Sequence, residues 1–154
     1  IDRVREVLRK HPERFLSRVF TPEEVAFCRG RVPELAARFA AKEAMMKALG
    51  TGARSVGWRE IEVLPDRRGK PLVYLYGGAA ERALTIGLEE IDISLTHNNT
   101  FAIASVVAAQ RIIETPPVEA RVKKVAGGSA SIAVSMPTRV SICATASAIL
   151  TSLV

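Results

Sequence analysis

Apolar residues recur at helical spacing from the start of the chain. Val4, Val7 and Leu8 stand among Arg3, Arg5, Arg9 and Lys10, the pattern of an amphipathic helix with a basic outer face. Pro12 interrupts it, and "PERFLSRVF" reads as a short second helix. Thr21 followed by Glu24 is a capping box with Pro22 at the first helical position, so "TPEEVAFCRG" predicts a third helix ended by Gly30. Pro33 opens the longest helix, which runs to about Leu49 and stops at Gly50 and Gly52. The period then changes to two. "IEVLP" and "PLVYLY" predict strands joined across "DRRGK", and "GAAERALTIG" a short helix between glycines. "IDISLTH" and "FAIASVVAA" predict two more strands around the polar turn "NNT". Helices, hairpin, helix, hairpin give an α+β fold, with helices packed on a mainly antiparallel sheet.

After Gln110 the character changes. "ETPPVEA" carries paired prolines and reads as a linker. From Arg111 onward there are no aromatic residues and much Ser, Thr, Ala and Val. The expected organisation is a domain over residues 1–110 and a poorly ordered extension of unknown role over residues 111–154. The uncharged run over residues 140–154 is short for a membrane span and rich in Ser and Thr, so no membrane partner is expected.

Composition adds a direction. The 154 residues suffice for one domain with a real core, and 48% hydrophobic with 25% charged residues is an ordinary soluble mixture. The net charge of +6 points to an acidic partner or a phosphate-bearing ligand. Cys28 and Cys143 give neither a disulfide framework nor metal spacing, so a reduced, cytoplasmic setting is expected. The charge-dense stretch from Ile1 to Phe20 does not read as a signal peptide.

The long helix carries unusual chemistry in "RFAAKEAMMKALG". Leu35, Phe39 and Met46 predict one narrow apolar stripe. Ala36, Ala40, Glu43 and Lys47 lie on its flank as a low surface, and Arg38 and Lys42 on its other edge. Two readings are open. Glu43 and Lys47 form an i,i+4 ion pair on a solvated face. Alternatively Glu43 offers a hard oxygen to Mg²⁺, and Lys47, Arg38 and Lys42 neutralise phosphate oxygens. In that reading Gly50 and Gly52 let the backbone approach a ligand. His97 ends a strand, where a histidine is commonly a polar terminus, and His11 reads as a helix-end residue.

Taken together, these segments resemble the bacterial holo-[acyl-carrier-protein] synthase family, the short 4′-phosphopantetheinyl transferases. "RFAAKEAMMKALGTG" is similar to the family's central signature, and "WREIEVLPDRRGKPLVYL" to its following hairpin with "GKP". "ISLTHNNTFAIASVV" is similar to its closing hairpin, and "ERFLSRVFTPEEVAFC" to its early helices. The resemblance covers Ile1 to about Gln110. It implies transfer of 4′-phosphopantetheine from coenzyme A to a serine of apo acyl carrier protein, with Mg²⁺, in a homotrimer whose active sites lie between subunits. It further implies Glu43 as metal ligand, Lys47 at the coenzyme phosphates, and His97 beside the coenzyme with Ser94 and Thr96. Arg38, Lys42, Gly50, Gly52, Lys70 and Pro71 surround the nucleotide in this reading, and Arg3, Lys10 and Arg14 meet the carrier. Ala37 stands where the family has Gly, and Phe101 where it has Tyr. The family's first strand carries Gly-x-Asp, whose aspartate is the second metal ligand. That segment would precede Ile1, so an incomplete metal site, an open sheet edge and weak activity are expected of the chain as given. The competing reading is a basic nucleic-acid-binding module. The pI near 9.8 suits it, but 5% aromatics and no stacking platform do not.

Overall fold

The computed structural model describes residues 1–111 and 140–147. Four helices come first: α1 (Asp2–Lys10), α2 (Pro12–Val19), α3 (Pro22–Cys28) and the long α4 (Val32–Ala48). A short α5 (Gly52–Ser55) and a 3₁₀ turn (Trp58–Glu60), neither anticipated from the sequence, lead to β1 (Ile61–Pro65) and β2 (Pro71–Leu75). Then follow α6 (Gly77–Thr85), β3 (Leu88–His97), β4 (Ala102–Gln110) and β5 (Val140–Ser147). β1 and β2 form a two-stranded sheet, and β3–β4–β5 a three-stranded one. Every pairing is antiparallel, so the α+β expectation holds. No helix among the described residues is long and apolar enough to cross a membrane.

The capping box forms as predicted. The Thr21 hydroxyl accepts from the Glu24 amide at 3.3 Å, and the Glu24 carboxylate accepts from the Thr21 amide at 2.9 Å. α3 ends in the left-handed region at Arg29 and Gly30. β3 begins three residues earlier than "IDISLTH" suggested, with a register shift between Leu88 and Glu90.

α4 departs from the expected amphipathic pattern. It is buried on almost every side, because β3, β4 and β5 pack on one flank and α1, α3 and β1 on others. The flank alanines are not an open surface. Ala40, Ala41, Ala44 and Ala48 let the helix approach Ala104, Val106 and Ala108 of β4 closely. Nearer its start, Ala36 and Phe39 join Val4, Phe15, Val19 and Phe20 in a second cluster, where the Phe39 ring stacks 4.8 Å from Trp58.

A buried ion pair crosses this interior. Lys42 and Glu24 are both fully buried, with Nζ 2.7 Å from Oε2. The ammonium also donates to the Val19 carbonyl at 2.8 Å and the Trp58 carbonyl at 2.9 Å, which uses its three protons. Glu24 Oε1 accepts from the Val63 amide at 2.9 Å. Burial pushes the Lys42 ammonium below its ordinary pKa, and Glu24 pulls it back up.

The extension is not wholly separate from the domain. β5 pairs along the outer edge of β4, from Gln110–Val140 to Ile103–Ser147. The edge of β4 away from β3 is therefore covered by a strand from the same chain. The expected linker "ETPPVEA" and the rest of the extension lie outside the described residues.

Lys42→Met should cost roughly 3–5 kcal/mol, because it strands the Glu24 carboxylate in the interior. Urea unfolding measures it, and a loss under about 1 kcal/mol would show that the interior tolerates the lone carboxylate.

Candidate active site

From Leu35 to Leu49 every α4 side chain is buried except two. Glu43 is half-buried and Lys47 exposed. One helical turn separates them, so they share the single opening in this otherwise covered stretch of the helix. Among the described residues the side-chain ion pairs do not include Glu43–Lys47. Burial raises the Glu43 carboxyl above its ordinary pKa, and the field of Lys47 only partly opposes this. A half-buried carboxylate without a close counter-charge gains from a cation.

Lys42 and Arg38, expected at the phosphates, are corrected by their burial. All three Lys42 protons are engaged inside the protein. Arg38 is 4% exposed. Its Nε donates to the Val63 carbonyl at 3.1 Å, its Nη1 to Glu34 Oε2 at 2.9 Å, and its guanidinium lies 4.5 Å from the Phe27 ring centre. Both cations hold elements to α4 and neither faces an external ligand.

The glycine turn stands where expected. The Gly50 amide donates to the Lys47 carbonyl at 3.0 Å and the Thr51 amide to the Met46 carbonyl at 3.2 Å, which is a Schellman end. Gly50 has φ 68° and Gly52 φ 60°, conformations that a side chain would strain. Sequence reasoning missed Arg82 of α6, whose Nε donates to the Leu49 carbonyl of this turn at 3.0 Å.

The remaining residues stand elsewhere. Lys70 is exposed at the hairpin tip and pairs with Asp92 at 2.9 Å, and Pro71 opens β2. Asp66 shapes that tip by accepting from the Arg68 and Lys70 amides. His97 closes β3 opposite Ala102, which packs near Ala36 and Phe39. Ser94 and Thr96 pair with Ser105 and Ile103. By strand alternation they lie on the sheet face turned away from α4, opposite to the buried Ile93, so His97 and its two neighbours do not share a face. Arg3, Lys10 and Arg14 are exposed on α1 and α2. Among the described residues no group of three or more His, Cys, Asp or Glu gathers into a protein-only metal cage. Mg²⁺ commonly takes one or two carboxylates and completes its shell with substrate phosphates and water, and Glu43 fits that use.

Residues 1–112 match the 4′-phosphopantetheinyl transferase superfamily. The holo-[acyl-carrier-protein] synthase of Dehalococcoides mccartyi is 46% identical over 108 residues, covering 70% of this chain and 90% of the relative. That of Moorella thermoacetica is 46% identical over 107 residues, covering 68% and 83%. Among solved structures, the Neisseria meningitidis holo-[acyl-carrier-protein] synthase superposes with a TM-score of 0.64 at 33% identity, covering 70% of this chain and 89% of that one. The Helicobacter pylori synthase, solved in complex with coenzyme A, gives 0.63 at 28% identity, covering 70% and 91%. A central helix open at one acid and one lysine, between an antiparallel sheet and a hairpin, is thus the frame of a phosphopantetheinyl transferase. The chain belongs to that superfamily, and within it to the holo-[acyl-carrier-protein] synthase family.

Glu43 carries a stability consequence. Its native pKa is raised, so the native state loses stability as pH rises through that value, relative to a protein with a neutral residue there. Without divalent metal, Glu43→Gln should therefore melt higher than the parent at neutral pH, and the gap should close as pH falls and Glu43 is protonated. Thermal melts across pH measure this. A pH-independent difference would show that the carboxylate is effectively solvated.

Proposed function

We infer that the protein transfers 4′-phosphopantetheine from coenzyme A to a serine of an apo acyl carrier protein, releasing adenosine 3′,5′-bisphosphate. The observation that carries this reading is the opening on the Leu35–Leu49 stretch of α4, where Glu43 and Lys47 alone escape burial. The serine oxygen forms a bond to the phosphorus bearing the pantetheine arm. The bond from that phosphorus to the bridging oxygen of the leaving bisphosphate breaks, the oxygen keeping the electron pair, and the hydroxyl's proton passes to solvent water. Such a reaction needs positioning and charge neutralisation more than a protein nucleophile. Lys47 neutralises pyrophosphate oxygens, and the Gly50–Gly52 turn lets backbone approach them. Glu43 holds Mg²⁺, which when bound polarises the phosphoryl oxygens.

A homotrimer with sites between subunits accounts for the rest of the constellation. Ser94 and Thr96 lie on the sheet face turned from α4, so in one chain the sheet separates them from Glu43. That face carries Phe101, Ile103 and Val107 at 60%, 41% and 45% exposure, an apolar stripe suited to a neighbouring subunit. A second protomer then brings Ser94 and Thr96 toward the coenzyme across that face, with His97 at the strand end and Lys70 and Pro71 on the hairpin alongside. The exposed Arg3, Lys10 and Arg14 dock the acidic carrier, and steer its approach. The setting is cytoplasmic, in fatty acid biosynthesis, with no nucleic acid involved.

The test is transfer itself. Incubated with coenzyme A, Mg²⁺ and apo carrier protein, the enzyme should add one phosphopantetheine to the carrier, read by intact-protein mass. Glu43→Gln should slow the transfer by roughly two orders of magnitude at limiting Mg²⁺, the scale of losing a metal ligand. No mass gain at any Mg²⁺ concentration would count against the transferase reading. A variant within about threefold of the parent would remove Glu43 from the metal site.

A further inference from the structure

α4 ends beside the proposed coenzyme site, and that end is electrically unfavourable for a phosphate. The helix has 17 residues, and its carbonyl end carries about half a negative charge. Lys47, Gly50 and Gly52 all stand there. An anion approaching them also approaches the helix's negative pole.

One side chain from another element answers this. The Schellman bonds satisfy the Lys47 and Met46 carbonyls. The Leu49 carbonyl at the helix terminus is taken by Arg82 Nε at 3.0 Å. Arg82 Nη2 lies 3.6 Å from where a Cβ on Gly50 would stand, so the guanidinium is against the turn itself. Arg82 is also firmly based. At the other end of α6, Glu60 Oε2 accepts from the Ala79 amide at 3.1 Å. A Cβ on Gly78 would sit 3.2 Å from that same oxygen, so the two adjoining glycines, Gly77 and Gly78, let the carboxylate close onto the helix start. α6 is thereby a strut with an acid fixing its first turn and an arginine reaching from its last.

We propose that Arg82 is a positioning residue for the coenzyme site, fixing the Leu49–Gly52 turn and offsetting the negative end of α4 so that phosphate can reach Lys47. This rests on the reading of Lys47 and the glycine turn as the place of the coenzyme phosphates. Arg82 acts through the turn and through its charge, and it transfers no proton.

The experiment compares the full chain with Arg82→Gln, Arg82→Lys and Lys47→Ala. Coenzyme A binding is measured by calorimetry, amide hydrogen exchange over residues 47–54 by mass spectrometry, and folding by thermal melts. Arg82→Gln should weaken coenzyme A binding about five- to tenfold, the range of a charge at a helix terminus. It should also speed exchange at Gly50–Gly52 and raise KM for coenzyme A without raising KM for the carrier. Arg82→Lys, which keeps the charge, should recover binding to within about threefold. If Arg82→Gln binds coenzyme A like the parent while Lys47→Ala does not, the role of Arg82 is refuted and the coenzyme reading stands. If Lys47→Ala also binds like the parent, the coenzyme reading falls and this inference with it. If Arg82→Gln fails to fold, Arg82→Lys decides: a loss of tenfold or more at unchanged melting temperature would overturn the charge role.

Discussion

The interior depends on one ammonium and one carboxylate. Lys42 and Glu24 meet at 2.7 Å with no exposure to solvent, and between them they bind backbone of α2, the 3₁₀ turn and β1. Taking both charges out of water is costly, and such pairs often give little net stability over an apolar substitute. What this pair supplies is registration. It fixes the rotation of α4 about its own axis, since Lys42 must point inward. The next residue is then turned by about 100°, which carries Glu43 to the one open side of the helix. Lys47 follows a turn later. The position of the candidate chemistry is thus a geometric consequence of the residue before it.

A second acidic link extends the same arrangement outward. Thr21, which caps α3, also donates to Glu62 of β1, and Glu62 accepts from the Tyr76 hydroxyl at 2.8 Å just beyond β2. The start of α3 and the hairpin are therefore joined through Thr21 and Glu62, each of which serves two partners. Arg38 repeats the pattern nearer the start of α4, holding β1 through the Val63 carbonyl and α3 through the Phe27 ring. Rigid elements hold reactive groups more accurately than loops do. Here the reactive opening sits on the most thoroughly anchored of the described helices.

Much of this was legible from local pattern. The capping box, the glycine stops and the two hairpins depend on neighbours in sequence, and the structure contains them with small shifts in boundary. The inward role of Arg38 and Lys42 was not legible, because the bonds that tie them to distant elements include three to the backbone carbonyls of Val19, Trp58 and Val63, and a carbonyl leaves no trace in residue type. The all-round burial of α4 was hidden for a related reason. Alanine is a weak periodic signal, yet it is what permits close approach of β4. Arg82 looked like one surface charge on a short helix. Its meaning comes only from where α6 lands against Leu49.

The edge of β4 adds a matter of timing. Its outer partner, β5, begins opposite Gln110, although residues 112–139 intervene in the chain. A ribosome adds roughly 5–20 residues per second, so β4 is made a few seconds before the strand that closes it. Through that interval the nascent sheet presents an unpaired ladder, open to a strand from any neighbouring polypeptide. The long separation also raises the contact order of the β4–β5 pairing, which slows it further. For this molecule a hazardous moment is birth, while β4 waits for β5 to arrive.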